Sequence, residues 1–187
     1  MEVGRKLFAE KGYEATSVEE IAERAKISKP VVYEHFGGKE GLYAVIVDRE
    51  MDYVISRISS AISEGTPGER LEGAIMAFLR CVEDRPDGFA VLSRDSPTKS
   101  GMANLLAEVG ENVSNVFTSE FKKAGYDPKA APLYAQAIIG MVTFASQWWQ
   151  ENPKMSAEEV ASHLMGMAWM GLRNLPQDPR RPELRSD

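Results

Sequence analysis

The sequence predicts an all-α fold. An N-terminal three-helix unit holds a helix-turn-helix, one long helix leads out of it, and a larger helical unit follows. Three observations predict this. Apolar residues recur at steps of three and four along most of the chain. Two short helical signatures, each opened by a serine, stand side by side in SVEEIAERAKISKPVVYEHFGGK, residues 17–39. No stretch alternates apolar and polar residues as a strand would.

Met1 to Lys11 is predicted as a helix that buries Val3, Leu7 and Phe8 and stops at Gly12, a natural residue past a helix end. Ser17 and Glu20 make an S-x-x-E capping box, in which each side chain satisfies a free backbone N–H. Ile21, Ala22 and Ala25 then share one face, and Lys26-Ile27 turns the chain. Ser28 is a second N-cap candidate, with Pro30 near the first helical position, where its missing N–H costs little. The helix Lys29 to Phe36 is too short to stand alone and needs tertiary support. Its inner face is predicted as Val32 and Phe36. Lys29, Pro30, Val31, Tyr33, Glu34 and His35 are left at or near the surface, and Gly37-Gly38 ends the helix.

Residues 39–63 read as one long helix, with Leu42, Val45, Ile46, Ile55, Ile58 and Ile62 near helical spacing. It leaves the helix-turn-helix without a break. It acts as a lever, or it simply spans two packed layers; the two readings are compatible. Gly65-Thr66-Pro67-Gly68 is a turn and the best boundary. Leu71, Ile75, Phe78, Leu79 and Val82 make the next helix, which ends near Arg85-Pro86. Gly88 to Ser93 reads as a short helix broken by Ser96-Pro97. Leu105, Val109, Val113, Val116 and Phe121 predict a helix over 98–124, closed by Gly125.

The last two helices differ in kind. Leu133 to Gln150 carries no charged side chain. The final helix opens with a Ser156–Glu159 capping box, and from Val160 to Leu172 only His163 is titratable. A surface helix of a monomer shows one polar face. Two helices apolar nearly all round predict cover from a second copy, hence a twofold homodimer with a four-helix interface. Gly140, Ala145, Gly166, Ala168 and Gly171 are small enough for close approach. Trp149, Leu164 and Leu172 complete the predicted interface. A transmembrane role for Leu133–Gln150 is disfavoured by Gln136, Gly140, Thr143, Ser146 and Gln147. Pro176 to Asp187, with three prolines and six charges of mixed sign, reads as a disordered tail. The predicted division is 1–45, 46–175 and 176–187.

Composition narrows the function. With 43% hydrophobic and 27% charged residues, the 187-residue chain has the make-up of a soluble globular protein. The single cysteine, Cys81, forbids an internal disulfide and fits a reducing cytoplasm. Two histidines far apart suggest no metal site. The N-terminus lacks the apolar segment of a secretory leader. There is no G-x-S-x-G, H-E-x-x-H or Walker pattern, so neither an enzyme nor a cofactor is predicted.

The net charge of −6 argues against a generic nucleic-acid binder, and residues 1–45 hold seven basic against eight acidic side chains. DNA binding would therefore rest on local placement of Lys29, Lys39 and helix N-termini, and would weaken steeply with salt. Pro30 and Val31 are apolar where solvent is expected, which suits a thymine methyl in the major groove. Lys39 opens a helix, where a cation has the wrong sign for the dipole by about 0.3–1 kcal/mol. A bound phosphate would reverse that sign; the other reading is an ordinary solvated lysine.

The run LFAEKGYEATSVEEIAERAKISKPVVYEHFGGKEGLY, residues 7–43, resembles the TetR family of one-component transcriptional repressors. Leu7-Phe8, Gly12-Tyr13, Thr16, Ile21-Ala22, Ala25, Ser28, Tyr33, Phe36, Lys39-Glu40 and Leu42 fall in register. Beyond this run the match is only a helical pattern. The resemblance implies that Thr16, Tyr33, His35 and Lys39 contact phosphates. It implies that Lys29, Pro30 and Val31 face base edges, with Ser28 among the DNA-binding residues at the helix start. Val31 departs from the small polar residue or glycine often found at its position. The family also carries a basic arm before the first helix. Its absence here has three readings: a misplaced start codon, a trimmed chain, or weaker DNA binding.

By the same resemblance a lipophilic effector of drug, acyl or aromatic type binds among the central helices. Phe78, Phe89, Leu92, Leu106 and Val109 are the candidate lining there, together with Val113, Met141, Phe144 and Trp148. Plain core is the alternative for such a stripe. Arg80, Arg94 and Lys99 are candidates to meet a carboxylate, or sit on the surface. His163 is expected in the core or interface and Cys81 to be inert. The expected function is a ligand-responsive regulator, a repressor released from a palindromic operator. The alternative is an interaction adaptor that keeps the fold without tight DNA binding.

Overall fold

The computed structural model describes residues 1–94 and 101–175. Among them there are nine α-helices, one 3-10 turn at Pro128–Ala130 and no strand. The helices are α1 Glu2–Lys11, α2 Val18–Ala25, α3 Lys29–Phe36, α4 Lys39–Ala61 and α5 Pro67–Asp84. They continue with α6 Pro86–Ser93, α7 Gly101–Ala124, α8 Ala131–Glu151 and α9 Ala157–Leu172. The predicted break at Ser96-Pro97, Lys99 and the predicted tail lie outside the described residues.

Helices α1 and α3 pack on α4, and α2 packs on α1 and α3, with Leu7, Phe8, Ile21, Val32 and Leu42 all buried. An aromatic cluster fixes this end: Phe8 and Tyr13 each meet the Tyr43 ring edge-on at 5.0 Å. Helix α4 then runs on without interruption to pack along α5. Helix α5 packs on α9, and α7 on α8. Helix α6 sits between the two ends of the molecule, against α1 on one side and α4, α5 and α7 on the other.

The capping chemistry differs from expectation in two places. The Ser17 hydroxyl accepts from the Glu20 N–H at 3.1 Å. The Glu20 carboxylate instead takes Lys11 at 2.5 Å and Arg24 at 3.0 Å, so that box is only half formed. A full box lies at Thr66–Glu69, within the segment read only as a turn, and a second at Ser156–Glu159. Helix α6 begins at Pro86, earlier than Gly88, because proline suits a first helical position.

One buried carboxylate joins the two ends. Glu50 of α4 is 4% exposed. It pairs with Arg5 of α1 at 3.1 Å and with Arg85, between α5 and α6, at 3.3 Å. Arg85 also stacks over Tyr53, 4.4 Å from the ring centre. Gly88 makes room: a Cβ there would stand 2.3 Å from Glu50 Oε2. The Tyr43 hydroxyl donates to the Val91 carbonyl at 3.3 Å, a second tie from α4 to α6.

Candidate nucleic-acid interface and effector cavity

The turn between α2 and α3 is made by Lys26, which is left-handed at φ 56° and ψ 42°. Most L residues avoid that region at a cost of about 1–2 kcal/mol. The Ile27 N–H closes the end of α2 on the Ala22 carbonyl at 3.0 Å. Helix α3 turns Val32 inward and leaves Lys29, Pro30, Tyr33, Glu34 and His35 exposed, with Val31 half-buried. Ser28 precedes it, exposed and with no side-chain cap bond, so the first N–H groups of α3 lack a side-chain acceptor there. A helix start of this kind favours an anion.

Beyond α3 the chain turns on Gly37 at φ 72° and Gly38 at φ 118°. Tyr33, 55% exposed, lays its ring over Gly38. Gly41 brings α4 against α3 so closely that a Cβ would fall 1.8 Å from the Phe36 carbonyl oxygen. Sequence reasoning singled out Gly37-Gly38 and missed Gly41, which carries no unusual φ and sits inside a helix.

Two of the predicted phosphate contacts have other partners. Thr16 is 2% exposed, and its hydroxyl donates to the Gly12 carbonyl at 2.7 Å. It braces the α1–α2 turn. Lys39 donates to the Tyr13 carbonyl at 3.0 Å and lies over the Tyr13 ring at 4.3 Å. Its place at a helix start is explained by these contacts, not by solvation. Burial, then Glu40 and Glu14, push the Tyr13 hydroxyl pKa up.

The other cations of the head are largely paired. Lys29 bonds to Glu19 of α2, and Arg24 reaches Glu10 at 3.4 Å besides Glu20. The Lys29 hydrogen bond holds the Glu19 carboxyl below its ordinary pKa, and the Lys11 hydrogen bond does the same for Glu20.

A cavity of about 250 Å³ lies among α5, α7 and α8, with the ends of α4 and α9 in its wall. An engineered apolar cavity of about 150 Å³ holds a benzene, so this one takes a larger guest. Its wall includes Phe78, Leu106, Val109 and Val113, as predicted, with Ile58 and Ile62 contributed by α4. Thr143 is a buried polar residue of the wall. The wall also includes Arg70, Glu120, Tyr126 and Arg173, with Arg70 paired to Glu120 at 3.4 Å.

The other lining candidates lie elsewhere. Phe89 and Leu92 are buried beside Glu50 instead. Met141 packs half-buried on the core without lining the cavity. Phe144 and Trp148 point outward, 73% and 56% exposed. Of the candidate arginines, Arg80 pairs with Glu83 and Glu158, and Arg94 lies against Gly12.

Most of the predicted dimer-face residues turn inward. Trp149 is buried, its Nε1 donating to the Met155 carbonyl at 2.8 Å. Leu164 and Ala168 are buried within the same chain, Ala145 packs on the core, and Leu172 lines the cavity. Gly140 and Gly171 do open outward, as does Gly166, with nothing within 4 Å of a Cβ on any of them. The outward stripe is Leu133, Phe144 and Trp148 on α8 with Met167 and Met170 on α9, and His163 is exposed beside it. Cys81 is buried, and desolvation pushes its thiol up to about 11. Among the described residues no group of side chains could hold a metal, and no helix is long and apolar enough to cross a membrane.

Comparison with known proteins agrees with this fold. Residues 1–46 match the family model described as bacterial regulatory proteins, tetR family. Residues 67–171 match the tetracyclin repressor-like C-terminal domain. The HTH-type transcriptional activator FasR of Mycolicibacterium smegmatis is 27% identical, over 91% of this chain and 80% of its own. The HTH-type transcriptional repressor KstR2 of the same species is 30% identical, over 92% of this chain and 88% of its own. The crystal structure of the TetR-family regulator PfmR from Thermus thermophilus superimposes with a TM-score of 0.75 at 26% identity, covering 91% of this chain and 93% of that one.

Proposed function

The chain belongs to the tetR family of bacterial transcriptional regulators, and from that premise we propose that it is a repressor released from a palindromic operator by a lipophilic small molecule. One observation carries the reading. Helix α4 begins at Lys39 beside the reading helix and puts Ile58 and Ile62 into the cavity wall. At 1.5 Å per residue, Ile58 is about 28 Å and Ile62 about 35 Å from Lys39 along one continuous rod.

Two copies joined through the outward stripe of α8 and α9 would set two α3 helices at the spacing of successive major grooves, about 34–36 Å. Tyr33, His35, Lys29 and the start of α3 then meet the duplex. A guest that fits better when the heads are splayed shifts the population away from the DNA-competent pair. A coupling of about 1–3 kcal/mol is enough for a switch.

The test is a gel shift with DNA from upstream of the gene, at low salt. Tyr33→Ala should lose binding while the dimer persists in sedimentation. Lys39→Ala should also lose binding, with some loss of head stability, because it holds the Tyr13 carbonyl. Normal operator binding by both variants would refute the assignment. A second reading, the adaptor without tight DNA binding, draws on the pairing of Lys11, Arg24 and Lys29 with glutamates of the same head. No shift by the wild-type protein at low salt would favour it.

A further inference from the structure

We propose that the effector carries a carboxylate, and that Arg70 receives it at the mouth of the cavity. The inference rests on the ligand-binding reading above and adds the chemistry of the ligand's head. Arg70 lines the cavity from the first turn of α5, its side chain only 24% exposed. Its Nη1 donates to Glu120 Oε1 across a long 3.4 Å. Its Nε is buried and has no partner. A guanidinium offers Nε and Nη2 as a rigid fork that matches the two oxygens of a carboxylate. Nε is enclosed by the protein and Glu120 engages Nη1, so Nη2 is the donor left for a ligand.

The charge balance favours the same group. Glu120 is also held by Lys123 at 2.8 Å, and Arg173 lines the same cavity. Two cations thus pair with one carboxylate, and the wall itself holds two arginines against one acid. Arg70 further stands in the first turn of a helix, where a cation is disfavoured and an anion beside it is stabilised. The remaining wall is almost wholly aliphatic and aromatic, so the body behind the head is apolar. A neutral lipid would leave Nη2 without a charged partner; a free small anion would leave the apolar wall uncovered.

Calorimetric titration of the purified full chain tests this, using tetradecanoate and its methyl ester below their aggregation limits. Lithocholate and its methyl ester run alongside, so that a chain body and a fused-ring body are told apart. At least one acid should bind about 10- to 100-fold tighter than its ester, the range for charge-assisted hydrogen bonds. Arg70→Gln should erase that preference and leave ester affinity unchanged. Wild-type protein that binds both esters as tightly as the acids overturns the carboxylate proposal while the cavity stands as a site for neutral ligands. An Arg70→Gln variant that keeps the preference overturns the role of Arg70. No binding by any of the four probes would sink the ligand-binding reading as well.

Discussion

Replacing Gly41 with alanine sets two physical expectations against each other. Inside a helix alanine is favoured over glycine by about 1 kcal/mol, so propensity alone predicts a more stable protein. The structure predicts the reverse. A Cβ at Gly41 would lie 1.8 Å from the Phe36 oxygen and 2.9 Å from its carbonyl carbon. Both are backbone atoms, so no side-chain rotation relieves the contact. Ordinary contact begins near 3.4 Å, so α3 and α4 must part by at least the 1.2 Å that restores 3.0 Å. Phe36 cannot yield easily, because Gly37 and Gly38 hold the following turn at positive φ and Val32 anchors α3 in the core.

Overpacking costs about 1–3 kcal/mol and occasionally more. Taking the upper end for a backbone clash, and subtracting the propensity gain, leaves a loss of about 2 kcal/mol. For a chain of this length that lowers the melting temperature by about 4–8 °C. The parting also displaces the reading helix from its productive pose, so operator affinity should fall at least tenfold. Circular dichroism melts and a gel shift on the same preparation measure both. A variant that melts at or above the wild-type temperature and binds operator normally would show that the α3–α4 contact carries no such constraint.

Four further outcomes are expected. Glu19→Gln frees Lys29 for phosphate, so operator affinity should rise severalfold and the salt dependence steepen by about one unit of log–log slope. Phe144→Glu should convert the dimer to monomers in sedimentation velocity. Leu164→Ala should instead lower stability by about 2–5 kcal/mol without dissociating the pair, since Leu164 is buried within one chain. The Glu69 carboxyl is held below its ordinary 4.5 by the Thr66 N–H and then by the Thr66 hydroxyl. A depressed folded pKa adds stability that is present above the unfolded value and lost as pH falls through the folded one. The Thr66 amide resonance should therefore titrate with a midpoint below 4.5, and Glu69→Gln should abolish that titration.

Helix positions were legible because periodicity and caps are local. Ser17, Ser28, Gly37 and Ser156 mark ends that stand where the residues put them. Facing was less legible, and most so where a helix has no polar side. Along α8, Phe144, Trp148 and Trp149 look alike to any periodicity count. The first two face out, and the third is hydrogen-bonded inside. Polar partners were hidden for a different reason. Lys39 and Tyr13 are far apart in sequence, and so are Arg70 and Glu120, and only the fold brings either pair together. Nothing local in the long helix marks Glu50 for burial, although it is among the most deeply enclosed charged groups of the described residues.

That glutamate limits how the molecule can bend. Its two oxygens are tied to arginines on opposite sides of a seam, one belonging to the first helix and one to the start of α6. Sliding either side past the other would strand a negative charge in a niche that Gly88 keeps only wide enough for it. Pulling such a pair apart, and leaving one member enclosed, costs about 3–5 kcal/mol, more than the 1–3 kcal/mol or so that an effector typically contributes. The seam therefore behaves as a weld, not a hinge. Whatever swing the DNA-reading end makes, α6 makes with it, and the give must come from the helices farther down.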